Sequence, residues 1–250
     1  MNSTPHSSYE SSDPAFSPPF KRGVSADIFG SIGLNAGELD RVQKLIFVPR
    51  SIKKGQLLFQ AGQKFSEIFA VRSGSFRSGV VSHDGDLNVT GFQLPGDMVG
   101  FDGIATMRYA CEVQALEDSE VSAMTFEHVA TLSRELRPVQ RLFLQMMSAQ
   151  LVRDSEVLVL LGSLKAEERV AAFLLKLFER METRGFSATE LVLPMSRHDI
   201  ASYLGLKTET VSRAFADLIA RRLIEAHQRS VTVLNRSALC AMAKVALPQD

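Results

Sequence analysis

The apolar pattern of this 250-residue chain changes from short β runs to a helical period near residue 130, and that switch constrains the fold more than any other feature. From about Leu45 to Met124 the apolar residues come in short β-rich runs: "LIFV", "LLFQ", "IFAV", "FRSGVVS", "NVTGFQL" and "EVSAMTF". Glycines punctuate them at Gly55, Gly62, Gly74, Gly85, Gly91, Gly96 and Gly100. Strands this short, with turn signals this regular, predict an antiparallel barrel or jelly roll. The turn "HDGD" carries an Asp-Gly hairpin signature, because Gly accepts a positive φ without steric cost. Ahead of the runs, residues 1–26 form an expected tail. Its first twenty are rich in Ser and Pro and too poor in aliphatics to offset chain entropy.

Beyond the switch the period is helical. Steps of four and three from Gln140 reach Leu144, Met147, Leu151, Asp154, Leu158 and Leu161, a heptad seam inside a helix expected at 134–162. A seam of this kind predicts a homodimer, with Asp154 meeting its own copy. The competing reading packs the helix on its own barrel and leaves Asp154 in water.

Residues 163–250 read as three helices and a short hairpin. "AEERVAAFLLKLFERMETRG" is amphipathic and ends at Gly185. In "SRHDIASYLGLKTETVSRAFADLIARRLI", Ser196 and Asp199 look like a helix N-cap with an acidic first turn. Ala201 is small where two helices approach, Gly205 follows four residues later, and Val211 six beyond that. This is a helix-turn-helix spacing, and the hairpin "LIEAHQRSVTVL" makes it a winged one. The second helix starts near Thr208. Val211, Phe215 and Leu218 face inward, so Glu209, Thr210, Ser212 and Arg213 are exposed at the end that enters a major groove in this motif. Arg can grip the edge of guanine with two donors, and Glu can accept from cytosine. Arg197, Lys207, Arg221 and Arg229 are candidate phosphate contacts. The alternative is a helical hairpin whose charges are merely solvated.

Lys+Arg and Asp+Glu are both 28, so any DNA-binding face must be local. Residues 196–250 hold eight Lys/Arg against five Asp/Glu, a basic excess of three that leaves the remainder acidic by three.

The order of these parts resembles the Crp/Fnr family of bacterial transcription regulators. The likeness covers nearly everything after residue 27. "VRSG" (71–74), "GFQLPGDMVGFDGIA" (91–105), "AEERVAAFL" (166–174), "RGFS" (184–187) and "MSRHDIASYLGLKTETVSR" (195–213) are similar to segments of the Fnr branch. The resemblance implies an α+β fold: a cyclic-nucleotide-binding-like jelly-roll barrel over 27–133, the dimerisation helix over 134–162 and a winged helix-turn-helix over 163–250. The family's E-x-x-S-R readers fall on Glu209, Ser212 and Arg213 and imply a palindrome of TTGA-type half-sites. Its RNA polymerase contacts fall on Ser73, Gly85, Asp86 and Arg184.

The chain also departs from that family. Cyclic-AMP-binding relatives carry a Glu and an Arg-Ser pair where this chain has Phe101-Asp102 and Tyr109-Ala110-Cys111, so no cyclic AMP site is expected. Oxygen-sensing members bind an iron–sulfur cluster through four thiolates, three near the N-terminus and one in a late barrel strand. This chain has two cysteines, Cys111 and Cys240, and Ala123 at the late position, so no cluster is expected. Haem on His6, His83, His128, His198 or His227, or a redox role for Cys111, stays open, although a single Cys is more often a small buried hydrophobe.

No H-E-x-x-H, G-x-S-x-G, phosphate loop or acid pair points to an enzyme. The apolar runs are too short to span a membrane, and a cytoplasmic protein is expected. The expected function is a homodimeric regulator responding to oxygen or redox state. The alternatives are haem, nitric oxide or small-ligand sensing on the same fold, and a ligand-binding module whose helices serve protein contacts alone.

Overall fold

The computed structural model describes residues 35–38, 42, 48–187 and 189–244. The expected tail, His6 and most of the "LIFV" run lie outside them. Eight strands form the first half: β1 (Val48–Ile52), β2 (Leu57–Phe59), β3 (Glu67–Ser73), β4 (Phe76–Val81), β5 (Leu87–Gln93), β6 (Met98–Val99), β7 (Glu112–Ala115) and β8 (Ser119–Thr125). They pair into two four-stranded sheets, ordered β1-β8-β3-β6 and β2-β7-β4-β5, with antiparallel pairing throughout. Strand β3 places Phe69 and Val71 in the core and leaves Ser73 exposed at its end. The "HDGD" turn joins β4 to β5, with Gly85 at φ 85° as the Asp-Gly signature requires.

Aromatic rings fill the barrel. Tyr109 stacks on Phe59 at 3.8 Å between centroids and meets Phe65 edge-on at 5.4 Å. Its hydroxyl donates to the Glu67 carbonyl at 2.8 Å, so the buried polar end is satisfied.

The expected helix at 134–162 is preceded by a separate one. Helix α1 (Phe126–Glu135) stops at Leu136, whose extended backbone caps it, and α2 (Arg137–Ser163) starts with Pro138 in its first turn. Pro lacks the N–H a continuing helix would need, and it restricts the residue before it, so the chain breaks there. Val139, Leu142 and Phe143 of α2 are buried in the barrel's apolar cluster.

Helix α3 (Ala166–Glu182) buries Val170, Phe173, Leu174, Leu177 and Phe178, the face its spacing predicts. Then come β9 (Glu190–Val192), α4 (Arg197–Leu204), α5 (Thr208–Ala220), β10 (Ile224–His227), β11 (Ser230–Val233) and α6 (Arg236–Ala243). The hairpin β10–β11 gains β9 on its free side, which gives a three-stranded wing. The core of this half also takes in Val89, Phe92 and Leu94 from the barrel, so the two halves share apolar contacts.

Candidate nucleic-acid interface

The helix-turn-helix is built by its capping chemistry. Ser196 Oγ accepts from the Asp199 N–H at 3.1 Å, and the Asp199 carboxylate accepts in return from the Ser196 N–H at 2.8 Å. This reciprocal box satisfies donors that the start of a helix leaves free. At the other end Gly205 takes φ 61°, a left-handed conformation that costs Gly nothing. The Leu206 N–H then returns to the Ala201 carbonyl at 2.9 Å and closes the turn. Ala201, Val211, Ala214, Phe215 and Leu218 are buried between α4 and α5.

Packing those residues inward turns Glu209, Ser212 and Arg213 outward. They stand at i, i+3 and i+4, the spacing that puts side chains on one helical face. Glu209 and Arg213 are 77% and 71% exposed and lie 3.6 Å apart. Ser212 is exposed, its hydroxyl donating to the Thr208 carbonyl at 3.0 Å. Thr210 is half-buried, and Lys207 is exposed at the N-cap of α5. Arg197 behaves differently. Its guanidinium lies 3.2 Å from the centroid of the Phe215 ring, and burial pulls its pKa down to about 10, which still leaves it charged. This side chain fastens α4 to α5. Arg221 is engaged by Asp217 at 2.8 Å, and Arg229 donates to the Pro194 carbonyl at 3.1 Å.

The unit is seated on the barrel by its first helix. Ser202 Oγ accepts from the Val89 N–H at 2.9 Å and donates to the Leu87 carbonyl at 3.1 Å, pairing with the edge strand β5. Tyr203 packs on Phe92 at 5.2 Å. Arg77 of β4 bonds the Asp199 carboxylate. Burial pushes the Asp199 carboxyl up, but hydrogen bonds from Ser196 and the Arg77 charge outweigh it and hold the pKa below the ordinary value. These contacts use α4, so the exposed face of α5 stays open.

Arg184 does not reach the surface. It is 6% exposed, and its guanidinium holds Asp97 Oδ1 at 2.7 Å. Arg180 holds the other oxygen at 2.6 Å. The expectation of a polymerase contact at Arg184 is corrected on this point, because a side chain buried in an ion pair has no face to offer. Ser73, Gly85 and Asp86 are exposed. Along α2, Leu144, Leu151 and Leu158 are exposed, Met147 and Leu161 half-exposed, and Asp154 exposed with Gln150 Nε2 donating to it at 2.7 Å.

The residues at the positions the family uses for cofactors are engaged within the chain. Asp102 Oδ2 accepts from the Ala110 N–H at 2.7 Å and the Cys111 N–H at 3.1 Å. For iron–sulfur chemistry the chain offers two thiols. Cys111 packs against the barrel core and Cys240 lies in the helix-turn-helix core, so they stand in different halves. Burial, and Asp102 beside it, push the Cys111 thiol up to about 12, away from the thiolate that iron requires. His83, His128, His198 and His227 all lie exposed at the surface rather than in a pocket.

A β-barrel joined by a long helix to a winged helix-turn-helix with an open reading face defines a class of two-domain DNA-binding transcription regulators. Residues 49–135 match the cyclic nucleotide-binding domain family and residues 168–242 the Crp-like helix-turn-helix domain family. The chain is 40% identical over 212 residues to the transcriptional activator protein FnrA of Stutzerimonas stutzeri, covering 85% of this chain and 87% of that one. It is 37% identical over 210 residues to the fumarate and nitrate reduction regulatory protein of Yersinia pestis, 84% of each. The solved structure of FixK2 from Bradyrhizobium japonicum superposes with a TM-score of 0.74 at 28% identity, covering 81% of this chain and 100% of that one. The chain belongs to the Crp/Fnr family of transcription regulators. Like these relatives it is a DNA-binding regulator rather than an enzyme. Among the described residues, no helix is long and apolar enough to cross a membrane.

Sequence reasoning missed Arg77, which ties the helix-turn-helix to the barrel. Arg77 meets Asp199 across 122 residues, and no local pattern announces such a pair.

Proposed function

We propose that this protein is a homodimeric activator that reads a TTGA-type palindrome and takes part in the response to oxygen or redox state. The observation that carries the reading is the open face of Glu209, Ser212 and Arg213 at the start of α5. Such a face can share one G·C pair between Arg and Glu. The names of the relatives, a transcriptional activator and a fumarate and nitrate regulator, support the activator and anaerobic parts. The exposed leucines at Leu144, Leu151 and Leu158 support a second copy on α2. The protein works in the cytoplasm without an iron–sulfur cluster of its own, and its control comes through another signal or through its abundance. RNA polymerase contacts the barrel through Ser73, Gly85 and Asp86, a reading their exposure supports.

The test is binding and transcription on one template. Arg213→Ala is expected to lose about 1–3 kcal/mol of specific binding per half-site. Asp86→Ala is expected to keep binding and lower transcript yield. Equal affinity of Arg213→Ala and wild type for the palindrome would reject the base-reading assignment. A joint fall of both activities in Asp86→Ala would make that residue structural.

A further inference from the structure

Arg169 stands where three segments end. It lies in the first turn of α3, half-buried, and each guanidinium nitrogen has a carbonyl of its own. Nη2 donates to Leu161 O at 2.6 Å, Nε to Leu164 O at 2.9 Å, and Nη1 to Leu204 O at 3.1 Å. Leu161 and Leu164 belong to the last turn and cap of α2, and Leu204 is the last residue of α4. The carbonyls of a helix's last turn have no partner within the helix, and they carry the negative end of its dipole. Leu161 O is left free because the Lys165 N–H, its natural partner, donates to Glu168 instead. One cation thus closes the C-termini of two helices.

We infer that Arg169 is the positioning residue that sets the reading helix at a fixed offset from the dimer seam, and so sets which half-site spacing the regulator accepts. The inference rests on the dimeric reading proposed above. The seam ends at Leu161, and α5 starts four residues after Leu204, so the clamp joins the last seam turn to the turn that aims the readers. The two are in contact range: a Cβ built on Gly205 would lie 3.8 Å from Arg169 Nη1 and 3.9 Å from a Leu161 side-chain carbon. Three acceptors in different directions demand a planar fork of donors, which Lys does not supply. The ion pair of Lys176 with Glu156, at 3.1 Å, also joins α2 to α3, through two exposed side chains.

Spacing is the property that separates this role from simple folding support. Each inserted base pair moves a half-site by about 3.4 Å and turns it by about 35°. The experiment compares full-length wild type, Arg169→Gln and Arg169→Lys on duplexes with two TTGA half-sites at the wild type's preferred spacing, with one base pair inserted, and with a single half-site. Wild type is expected to lose about tenfold or more on insertion. Arg169→Gln is expected to lose about twofold on insertion, to bind the single half-site like wild type, and to keep the wild-type dimer constant, with Arg169→Lys between the two. An insertion penalty of wild-type size in both variants would overturn the inference, whether or not their affinity falls uniformly. A wild type that prefers neither spacing nor a second half-site would overturn the dimeric reading, and the clamp with it, before any variant is made.

Discussion

The two halves of α2 share one helical period and meet opposite surroundings. In the first half, Val139, Leu142 and Phe143 are buried, with Met146 packed beside them. That is an i, i+3, i+4, i+7 stripe laid on the barrel. Phe143 meets Phe101 edge-on at 6.4 Å. In the second half, Leu151 and Leu158 are 67% and 71% exposed, with Val152 and Val159 alongside. The heptad spacing in the sequence runs through both halves and distinguishes neither. Packing on the chain's own barrel holds for the first three turns. Beyond them the helix carries apolar side chains that one chain leaves uncovered. A buried stripe contributes to folding, whereas an uncovered one contributes only to association.

The largest expected effect tests that division directly. Phe143→Ala is expected to lose about 3–5 kcal/mol of folding stability, through lost burial and the cavity left behind. Leu158→Ala is expected to change folding stability by less than about 0.5 kcal/mol in dilute protein, as for other exposed positions. It should instead raise the dimer dissociation constant, since burying each Leu on association contributes about 1.5–3 kcal/mol. Denaturant unfolding at low concentration, paired with sedimentation, separates the two. Equal folding losses at the two positions would remove the distinction between the halves.

A smaller effect sharpens the comparison from the side of charge. Arg153, in the second half of α2, carries a charge that favours the ionised form of buried Asp97. Burial pushes that carboxyl up, but Arg180, Arg184 and the Leu94 N–H outweigh it and hold its pKa below the usual value. The folded state therefore binds fewer protons at this site than the unfolded chain. Its stabilisation is complete above the unfolded value of about 4 and is lost as pH falls through the lower folded value. Asp97→Asn is expected to cost about 3 kcal/mol at pH 7, the low end for a broken buried pair because Arg180 is a quarter exposed. The gap between variant and wild type should close in strong acid. A gap that stays constant from pH 7 to pH 3 would show that Asp97 contributes through its shape and neutral hydrogen bonds.

Local chemistry was legible in the sequence, and distant partnership was not. The Asp-Gly turn, the Ser196–Asp199 cap and the Gly205 turn each follow from neighbouring residues, and each stands where expected. Strand β7, "EVQA", is too short and too mixed to announce itself; its pairing with β2 and β4 defines it. Strand β9 has three residues and exists because β11, some forty residues later, offers a free edge. The final helix α6 follows from the Asn235 cap, whose side chain accepts from the Ala238 N–H, a local signal present in the sequence. Arg184 reads as a surface residue because the family's polymerase contacts map onto it; its partner Asp97 lies 87 residues away. Arg197 reads as a candidate phosphate contact because it is a cation in the helix-turn-helix, and only the fold reveals the Phe215 ring beneath it.

The smallest expected effect concerns Asp154, the one charged position in the proposed seam. Within one chain it is exposed, and Gln150 donates to it at 2.7 Å. If the uncovered stripe between Leu151 and Leu158 pairs with its own copy in parallel, the two Asp154 carboxylates face each other. In water, two unit charges about 6 Å apart weaken an association roughly threefold. Asp154→Ala is therefore expected to dimerise about threefold more tightly, with the gain shrinking as salt rises through 0.1 M and screening takes over. The alanine also removes the Gln150 hydrogen bond, so a second variant, Asp154→Asn, keeps an acceptor there and isolates the charge. Sedimentation of all three forms at low and high salt measures the outcome. Tighter pairing in both variants at low salt, converging with wild type at high salt, would place the repulsion in the seam. A weaker dimer in either variant would mean that Asp154 has a favourable partner across the interface, and that the second half of α2 associates in some arrangement other than a parallel one.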